Sequence, residues 1–317
     1  MLRSCLLILS LIITSCSAPA DIRDSRFIMG TLVEFTVTGM DEATATTAIS
    51  EAANEMQRIE DLFTIYGDHD NSIKQFNRSE IGVPLLLPDE VSKLLNSSLE
   101  IKKKSNGAYD PALGKLNMLW GFSQPDSPSL PPGKQEIEAA IPPLHCIEKT
   151  EAGWIRSDER CVLDFGAIAK GYAIDRGIET LKQHGIHNAI INAGGDIRLI
   201  GRHGDRPWRI GIRHPRNKGE VIKSLELEGD VAVVTSGDYE RFYIYGGARY
   251  HHILNPESGM PATEVQSSTV MAESAMLADA WSTALFILGN QSPAVIDGIN
   301  IKSLIIDYKG EIIINTL

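Results

Sequence analysis

The order of helical and strand-forming segments constrains the fold of this chain more than any other feature. An apolar repeat at helical spacing predicts a long helix over residues 41–63, for which Asp41 is a suitable N-cap. Strands and helices mix without regular alternation, which favours an α+β fold with mixed β-sheets flanked by helices. The other expected helices lie within 71–77, 88–104, 166–184 and 271–288, and the expected strands within 27–37, 146–156, 189–192, 208–213, 224–227, 231–235 and 303–314.

The first 15 residues have the pattern of a secretory signal peptide. Arg3 supplies a positive charge, residues 5–13 are an apolar run, and small residues surround Cys16. The run is shorter than the roughly 20 residues that a membrane-spanning helix needs. Because Ile13-Thr14-Ser15-Cys16 resembles a lipobox, we expect cleavage before Cys16 and lipid on its thiol, the alternative being an ordinary signal with an incidental cysteine. The expected boundaries are 1–15 signal peptide, 16–26 lipid-attached tether and 27–317 one domain.

The net charge narrows the class of partner. The chain has 30 Lys and Arg against 41 Asp and Glu, a formal charge of −11, and removing the signal with Arg3 makes it one unit more negative. An acidic protein of this size is a poor match for nucleic acid, which is held by Lys and Arg. A phosphate-containing substrate would therefore need a local device, such as a metal ion or backbone amides. Ser123 to Pro132 is rich in Ser and Pro and is expected to be an exposed loop.

Two cysteines remain after the signal, Cys146 and Cys161. In an oxidising compartment two such cysteines can pair, and the segments around them are expected to form strands near a hairpin. The sequence leaves two interpretations open, a disulfide and two buried thiols. Neither cysteine has a spacing to histidine that suggests zinc.

Three segments contain residue types that carry chemistry. Residues 163–172 are expected to form a strand, a glycine turn and the start of a helix. Asp164 and Lys170 flank that helix start, where anions are favoured. The alternative is a plain turn with a surface lysine. Asp279 and Thr283 are four residues apart and share a helix face, which suits a hard cation. The alternative for Asp279 is a hydrogen bond to a neighbouring loop. His251 or His252, at a strand end, is a candidate general base or a structural histidine.

Eight short segments occur in a characteristic order along the chain. They are Met29-Gly30-Thr31; Tyr66 with Ser72 and Phe76-Asn77; Ala108-Tyr109-Asp110-Pro111 with Leu119-Trp120-Gly121-Phe122; Leu163 through Tyr172; Asn192-Ala193-Gly194-Gly195-Asp196; Thr235 through Arg241; His252-Ile253 through Gly259; and Ala278-Asp279 through Thr283. Each segment alone is a weak signal, but together and in this order they resemble the ApbE family of FAD:protein FMN transferases. The resemblance runs from Phe27 to about Gly289. It implies an ApbE-like fold with the flavin site between two closely joined lobes.

The resemblance also implies roles for individual residues. His252 would be the catalytic base, favoured over His251 because it directly precedes Ile253. The residues expected to contact FAD are Met29, Tyr66, Ala108, Tyr109, Asp110, Asp164, Lys170 and Ile253. The expected Mg²⁺ ligands are the Ala167 carbonyl, Asp279 and Thr283, with Ser282 nearby.

The implied activity is Mg²⁺-dependent transfer of FMN from FAD to a Thr or Ser hydroxyl of an acceptor protein, with release of AMP. In the family, acceptors include Rnf- and Nqr-type redox subunits, and lipidation would hold this enzyme beside them on the periplasmic side of the inner membrane. The alternatives are a Mg²⁺-dependent FAD pyrophosphatase and a flavin-binding lipoprotein. An aromatic residue at Tyr66 is similar to the transferase type, whereas some relatives with a smaller residue there favour hydrolysis.

Overall fold

The structure is a computed structural model that describes residues 21–124 and 130–317. The signal peptide over 1–15, the lipidation site Cys16 and the middle of the Ser/Pro-rich segment lie outside the described residues. Within them, no helix has the length and apolar character needed to span a bilayer.

One eight-stranded sheet organises the molecule, and all neighbouring strands in it are antiparallel. The spatial order is β1-β2-β5-β6-β9-β12-β13-β14, and three separate hairpins, β3–β4, β7–β8 and β10–β11, complete the strands. The strands are β1 Ile22–Ile28, β2 Thr31–Val37, β3 Ile147–Thr150, β4 Gly153–Arg156, β5 Ala189–Ala193, β6 Asp196–Ile200, β7 Trp208–Arg213, β8 Val221–Leu227, β9 Val231–Gly237, β10 Phe242–Tyr245, β11 Ala248–His251, β12 Val265–Ala272, β13 Lys302–Asp307 and β14 Ile312–Asn315.

The helices follow the expected amphipathic pattern where they are long. In the first of them, Ala45, Ile49 and Met56 are fully buried at helical spacing, and the Asp41 side chain accepts the Thr44 N–H at 3.0 Å as N-cap. The helices are α1 Glu42–Phe63, α2 Ser72–Arg78, α3 Asp89–Lys104, α4 Gly114–Trp120, α5 Lys134–Ala140, α6 Ala169–Gln183, α7 Ala275–Leu288 and α8 Ser292–Ile296.

The two faces of the sheet are covered by different elements. Helices α1, α6 and α7 pack against one face, where Val234 belongs to the main core. The preceding residue, Val233, points to the opposite face, where it packs with Trp208 and Ile210 of the β7–β8 hairpin in a second core. Because α7 is covered by the sheet and by α6, it is apolar on nearly all sides, and a charge on it is an exception that requires a partner.

Several boundaries differ from the expectation. The segment 27–37 is not one strand but the end of β1, a turn at Met29-Gly30 and β2, and Met29 adopts a positive φ of 57°. Because β1 begins at Ile22, residues 22–26 belong to the sheet rather than to a tether. Met271 lies in strand β12, and helix α7 starts only at Ala275, after the N-cap Ser274. The sequence pattern also did not predict α4, α5, α8, β6 or β10, whereas it did predict a strand ending at the tandem histidines, which is β11.

Cys146 and Cys161 form a disulfide, with their Cα atoms 6.0 Å apart. Of the two interpretations that the sequence left open, the paired one is correct. The bond closes a loop that contains the β3–β4 hairpin, with a sequence separation of 15 between the two cysteines. Cys161 is directly followed by residues 162–164 of the candidate site.

We expect replacement of both cysteines by serine to lower the free energy of unfolding by about 3 kcal/mol, because the unfolded chain loses a closed loop of this length. Urea unfolding of the wild type and the double variant, each with and without reductant, measures the difference. Reductant should destabilise the wild type alone, and equal stability of the two oxidised proteins would contradict the expectation.

Candidate active site

Asp164 lies at the centre of a hydrogen-bonded group of side chains. Its Oδ1 accepts the Gly166 N–H at 2.8 Å, and its Oδ2 accepts the Asn117 side-chain amide at 2.8 Å and the Tyr66 hydroxyl at 3.4 Å. Burial, followed by the Asp164 charge, raises the pKa of Tyr66, so its hydroxyl stays protonated and donates. The structure therefore brings together two residues predicted from sequence, Tyr66 and Asp164, and adds Asn117 of α4.

The backbone of Leu163, just before Asp164, is fixed by a side chain from α2. Asn77 donates from Nδ2 to the Leu163 carbonyl at 2.9 Å and accepts the Leu163 N–H on Oδ1 at 2.7 Å. This two-point contact replaces a neighbouring strand, since the backbone groups of Leu163 would otherwise be buried without partners. Asn77 was quoted within a matching segment, but the sequence suggested no role for it.

Lys170 extends from the first turn of α6 and forms an ion pair with the buried Asp196 at the start of β6. The other oxygen of Asp196 accepts the Thr235 N–H at 3.2 Å. Burial lowers the pKa of Lys170, and the nearby Asp279 charge opposes that shift. Lys170 is therefore not the surface lysine of a plain turn. Asp196 was quoted in the Gly-Gly-Asp segment, but nothing in the sequence pointed to this ion pair.

Asp279 joins the starts of two helices. Its Oδ2 accepts the Gly171 N–H of α6 at 2.9 Å. A Cβ atom on Gly171 would lie 2.2 Å from the Ala275 carbonyl oxygen and 2.8 Å from the Asp279 Cβ, so glycine is what allows α6 and α7 to approach this closely. The carboxylate does make the hydrogen bond to a neighbouring segment that the sequence allowed as the alternative, but that bond uses only one of its oxygens.

This hydrogen bond has a consequence for Ala167. In a regular helix the amide of residue 171 would donate to the carbonyl of residue 167, but here it donates to Asp279 instead. Throughout residues 21–124 and 130–317, no group donates a hydrogen bond to the Ala167 carbonyl. A carbonyl without a donor at a helix start is available to bind a cation or water.

Hydroxyl groups surround the next turn of α7. Ser282 donates to the Asp279 carbonyl at 2.9 Å, and its Oγ lies 2.7 Å from the Ser236 Oγ of β9. The Ser236 Oγ also lies 3.2 Å from the Thr283 Oγ1. Thr283 is thus hydrogen-bonded to the sheet on the same helix face as Asp279. Ser236 was missed because its proximity depends on how α7 packs on β9.

These oxygen atoms fit a hard divalent cation. The described part of the chain contains no group of three or more His, Cys, Asp or Glu side chains suited to a metal, so a metal here depends on one carboxylate, a hydroxyl and a backbone carbonyl. Such a set matches Mg²⁺, which binds few protein ligands, keeps several waters and is completed by substrate phosphates. It does not match zinc or copper, which prefer nitrogen and sulfur.

The tandem histidines have different environments. His251 is buried, its Nε2 lies 2.7 Å from the Ala262 carbonyl and so carries the proton, and its Nδ1 accepts the Ile253 N–H at 3.3 Å. The Nδ1 of His252 is buried and has no partner among the described residues. Burial and the charge of Arg241 hold the pKa of His252 well below its ordinary value. The geometry therefore favours His252 over His251 as a proton acceptor.

The remaining predicted residues make contacts of their own elsewhere in the protein. The Met29 N–H donates to Glu60 at 2.8 Å. Tyr109 is buried, with its hydroxyl donating to Ser98 at 3.2 Å, and Asp110 forms a buried ion pair with Lys102 at 2.7 Å. Burial raises the pKa of Asp110, and the Lys102 charge opposes the rise. The side chains of Tyr109 and Asp110 are thus already bonded to other residues of the protein. Ala108 and Ile253 are buried apolar residues.

Comparisons with known proteins identify the family of the chain. Residues 29–305 match the profile of the ApbE family. A protein named FAD:protein FMN transferase from Rhodobacter capsulatus is 31% identical over 280 residues, which are 87% of this chain and 53% of that protein, so the chain spans about half of its length. A second protein of that name, from Treponema pallidum, is 30% identical over 302 residues, 87% of this chain and 82% of the relative.

Solved structures show the same fold. The ApbE protein from Thermotoga maritima superposes with a TM-score of 0.84 at 31% identity, covering 94% of this chain and 97% of that one. The flavin transferase ApbE from Vibrio cholerae superposes with a TM-score of 0.79 at 28% identity, covering 91% of this chain and 94% of that one. The α+β prediction is therefore confirmed.

Proposed function

The chain belongs to the ApbE family, and from that premise we propose that it is an FAD:protein FMN transferase, which moves the FMN half of FAD onto a hydroxyl of an acceptor protein and releases AMP. The observation that carries the proposal is the contact between the starts of α6 and α7. There Asp279 takes the Gly171 amide, and the Ala167 carbonyl has no donor. A flavin-binding protein without turnover has no need for this set of oxygen atoms.

The same contact supports an assignment of the residues that would hold a metal ion. The Ala167 carbonyl, Asp279 and Thr283, with Ser282 alongside, would bind Mg²⁺, which supplies positive charge to the FAD diphosphate as its anhydride bond breaks. Lys170 is close enough to Asp279 to be influenced by its charge, and its ammonium group would steady a phosphate oxygen of the same diphosphate.

The protein residues account for the proton and for substrate position. The acceptor hydroxyl oxygen forms a new bond to the FMN phosphorus, the bond from that phosphorus to the AMP oxygen breaks, and the hydroxyl proton moves to a ring nitrogen of His252. His252 is suited to this step because its lowered pKa keeps it unprotonated at neutral pH. Tyr66 and Asp164 would hold the FAD molecule on the other side of the site.

We place this activity outside the cytoplasm, on a lipid anchor at Cys16 on the periplasmic side of the inner membrane. The disulfide between Cys146 and Cys161 supports that location, because structural disulfides persist in oxidising compartments. Acceptors of the Rnf and Nqr type are membrane complexes, and an anchored enzyme would meet their exposed domains at high local concentration.

The proposal is tested by incubating the protein with FAD, Mg²⁺ and the soluble domain of an Nqr-type subunit that contains its acceptor threonine. We expect fluorescent flavin on the acceptor in a denaturing gel, together with one AMP per labelled acceptor. A threonine-to-valine acceptor serves as the control, since it keeps the shape and lacks the hydroxyl. Release of FMN without labelling would indicate a pyrophosphatase, and intact bound FAD would indicate a binding protein, and either result contradicts the proposal.

A further inference from the structure

Arg241 is a cation beside the candidate base and has no acidic partner among the residues that the structure describes. It lies just before β10, in the connection from β9. Its guanidinium donates to the Ser123 hydroxyl at 3.0 Å and makes no ion pair within residues 21–124 and 130–317. The acids nearest to it in sequence are already engaged, Glu240 by Arg213 and Asp238 by Arg216. An arginine that is positioned but not neutralised is suited to an anionic ligand.

The position of Arg241 is fixed by the β10–β11 hairpin. In that hairpin Phe242 pairs with His251, so one further step of the antiparallel register sets Arg241 opposite His252. The His252 N–H donates to the Arg241 carbonyl at 3.2 Å, which confirms this pairing. Side chains of opposite residues in an antiparallel pair project to the same side, with Cβ atoms roughly 5 Å apart. The Arg241 side chain therefore begins beside that of His252, and its charge is close enough to lower the pKa of the imidazole.

The charges around His252 all act in one direction. Arg241 faces it across the hairpin, His251 precedes it, and Lys170 faces it from the start of α6, and all three lower its pKa in addition to burial. Arg241 also lowers the pKa of Lys170, so the two cations are near each other and repel. Arg241, which has no acidic partner among the described residues, and Lys170, which is paired with Asp196, place positive charge beside a neutral base, and an entering phosphate would offset that charge.

We propose that Arg241 is a catalytic residue that binds a non-bridging oxygen of the phosphate being transferred. The inference rests on the proposed function and adds a residue to it. The hydroxyl that His252 deprotonates attacks the FMN phosphorus, and the AMP oxygen leaves from the opposite side in an in-line displacement. A cation beside His252 consequently meets the oxygens of the FMN phosphate rather than those of the leaving AMP.

The test compares Arg241→Gln and Arg241→Lys with Arg209→Gln. Arg209 is an exposed arginine on β7 whose nearest acid, Glu226, lies 3.9 Å away, and it is a matched control for the loss of a surface charge. We expect kcat to fall by about 10- to 100-fold in Arg241→Gln, because one donor to a developing charge is removed at a partly solvated position. Arg241→Lys should retain part of the rate, and Arg209→Gln should keep all of it.

A pH profile separates this role from a structural one. Without the Arg241 charge the pKa of His252 rises, so the acid limb of kcat should move to higher pH in Arg241→Gln and stay in place in Arg241→Lys. FAD affinity, measured by flavin fluorescence, should change much less than kcat. A wild-type kcat with an unmoved limb, or a loss confined to FAD affinity, would overturn the proposal.

Two readouts keep the two proposals distinguishable. AMP release from FAD in the absence of acceptor uses water as the nucleophile and reports on Arg241 even if no acceptor is labelled. Failure of the wild type to label the Nqr-type domain while it still releases AMP would refute transfer, whereas a normal AMP-release rate in Arg241→Gln would refute the role of Arg241.

Discussion

Replacing Asp279 with alanine is expected to lower acceptor labelling by about 10³-fold, because it removes the carboxylate of the candidate Mg²⁺ site and with it roughly 4 kcal/mol of transition-state stabilisation. The variant also leaves the Gly171 N–H without its acceptor. Initial rates of labelling over a range of Mg²⁺ concentrations, together with thermal unfolding, measure the two effects separately.

Asp279→Asn separates charge from hydrogen bonding. Its side-chain oxygen still accepts the Gly171 N–H, so we expect stability near that of the wild type and a labelling rate almost as low as that of Asp279→Ala. Asp175→Asn is the matched control, since Asp175 is also buried and accepts the Ala275 N–H at 2.7 Å while pairing with Arg198. It should lose stability and keep its Mg²⁺ dependence. Normal labelling by Asp279→Ala in Mg²⁺ buffer would show that the metal assignment is wrong.

His252→Ala is expected to lower kcat by about 10²- to 10⁴-fold, the usual contribution of a general base. The pKa of His252 lies well below its ordinary value, so the wild type should have a constant rate around neutral pH. The rate should fall only as the solution is acidified below about pH 6.5, where an ordinary histidine titrates. The variant should lose this acid limb, and stopped assays of labelling across the pH range record both results.

The adjacent histidine provides the control. His251→Gln keeps a side-chain N–H that can donate to the Ala262 carbonyl, so its kcat and acid limb should remain close to those of the wild type. The variant should lose stability, since His251 is buried against Phe286 with ring centres 5.5 Å apart. If His251→Gln were the inactive protein and His252→Ala the active one, the base would be misassigned.

The parts of the site that follow local spacing could be predicted from the sequence. Asp279 and Thr283 share a face because a helix repeats every 3.6 residues. The glycine turn and helix around Asp164 and Lys170 formed as expected, whereas the expected strand before them is reduced to an isolated bridge at Val162. The N-cap Ser274, whose hydroxyl accepts the Leu277 N–H at 3.2 Å, was a signal for the start of α7 that the long apolar run obscured.

The parts that depend on tertiary packing could not be predicted in the same way. Asn117 reaches Asp164, and Asp196 reaches Lys170, only because distant elements meet. Helix α4 has no side-chain N-cap bond and begins at a glycine pressed against Val162, so it lacks the usual signal of a helix start. A resemblance assigns a role to a residue but does not say which of its atoms contacts the ligand. Tyr109 and Asp110 are examples, because their side chains are already bonded to Ser98 and Lys102.

Strand β1 sets how far from a bilayer the proposed chemistry would occur. It enters the sheet at Ile22 and delivers the chain to Met29 at its other end. Seven residues at about 3.4 Å each make the strand roughly 24 Å long, and an extended run from Cys16 to Ile22 would add up to about 20 Å. Because the chain enters the sheet at Ile22, an enzyme anchored at Cys16 would have at most about 20 Å of extended chain between the lipid and the fold, and shortening that run would hold the domain closer to the head groups.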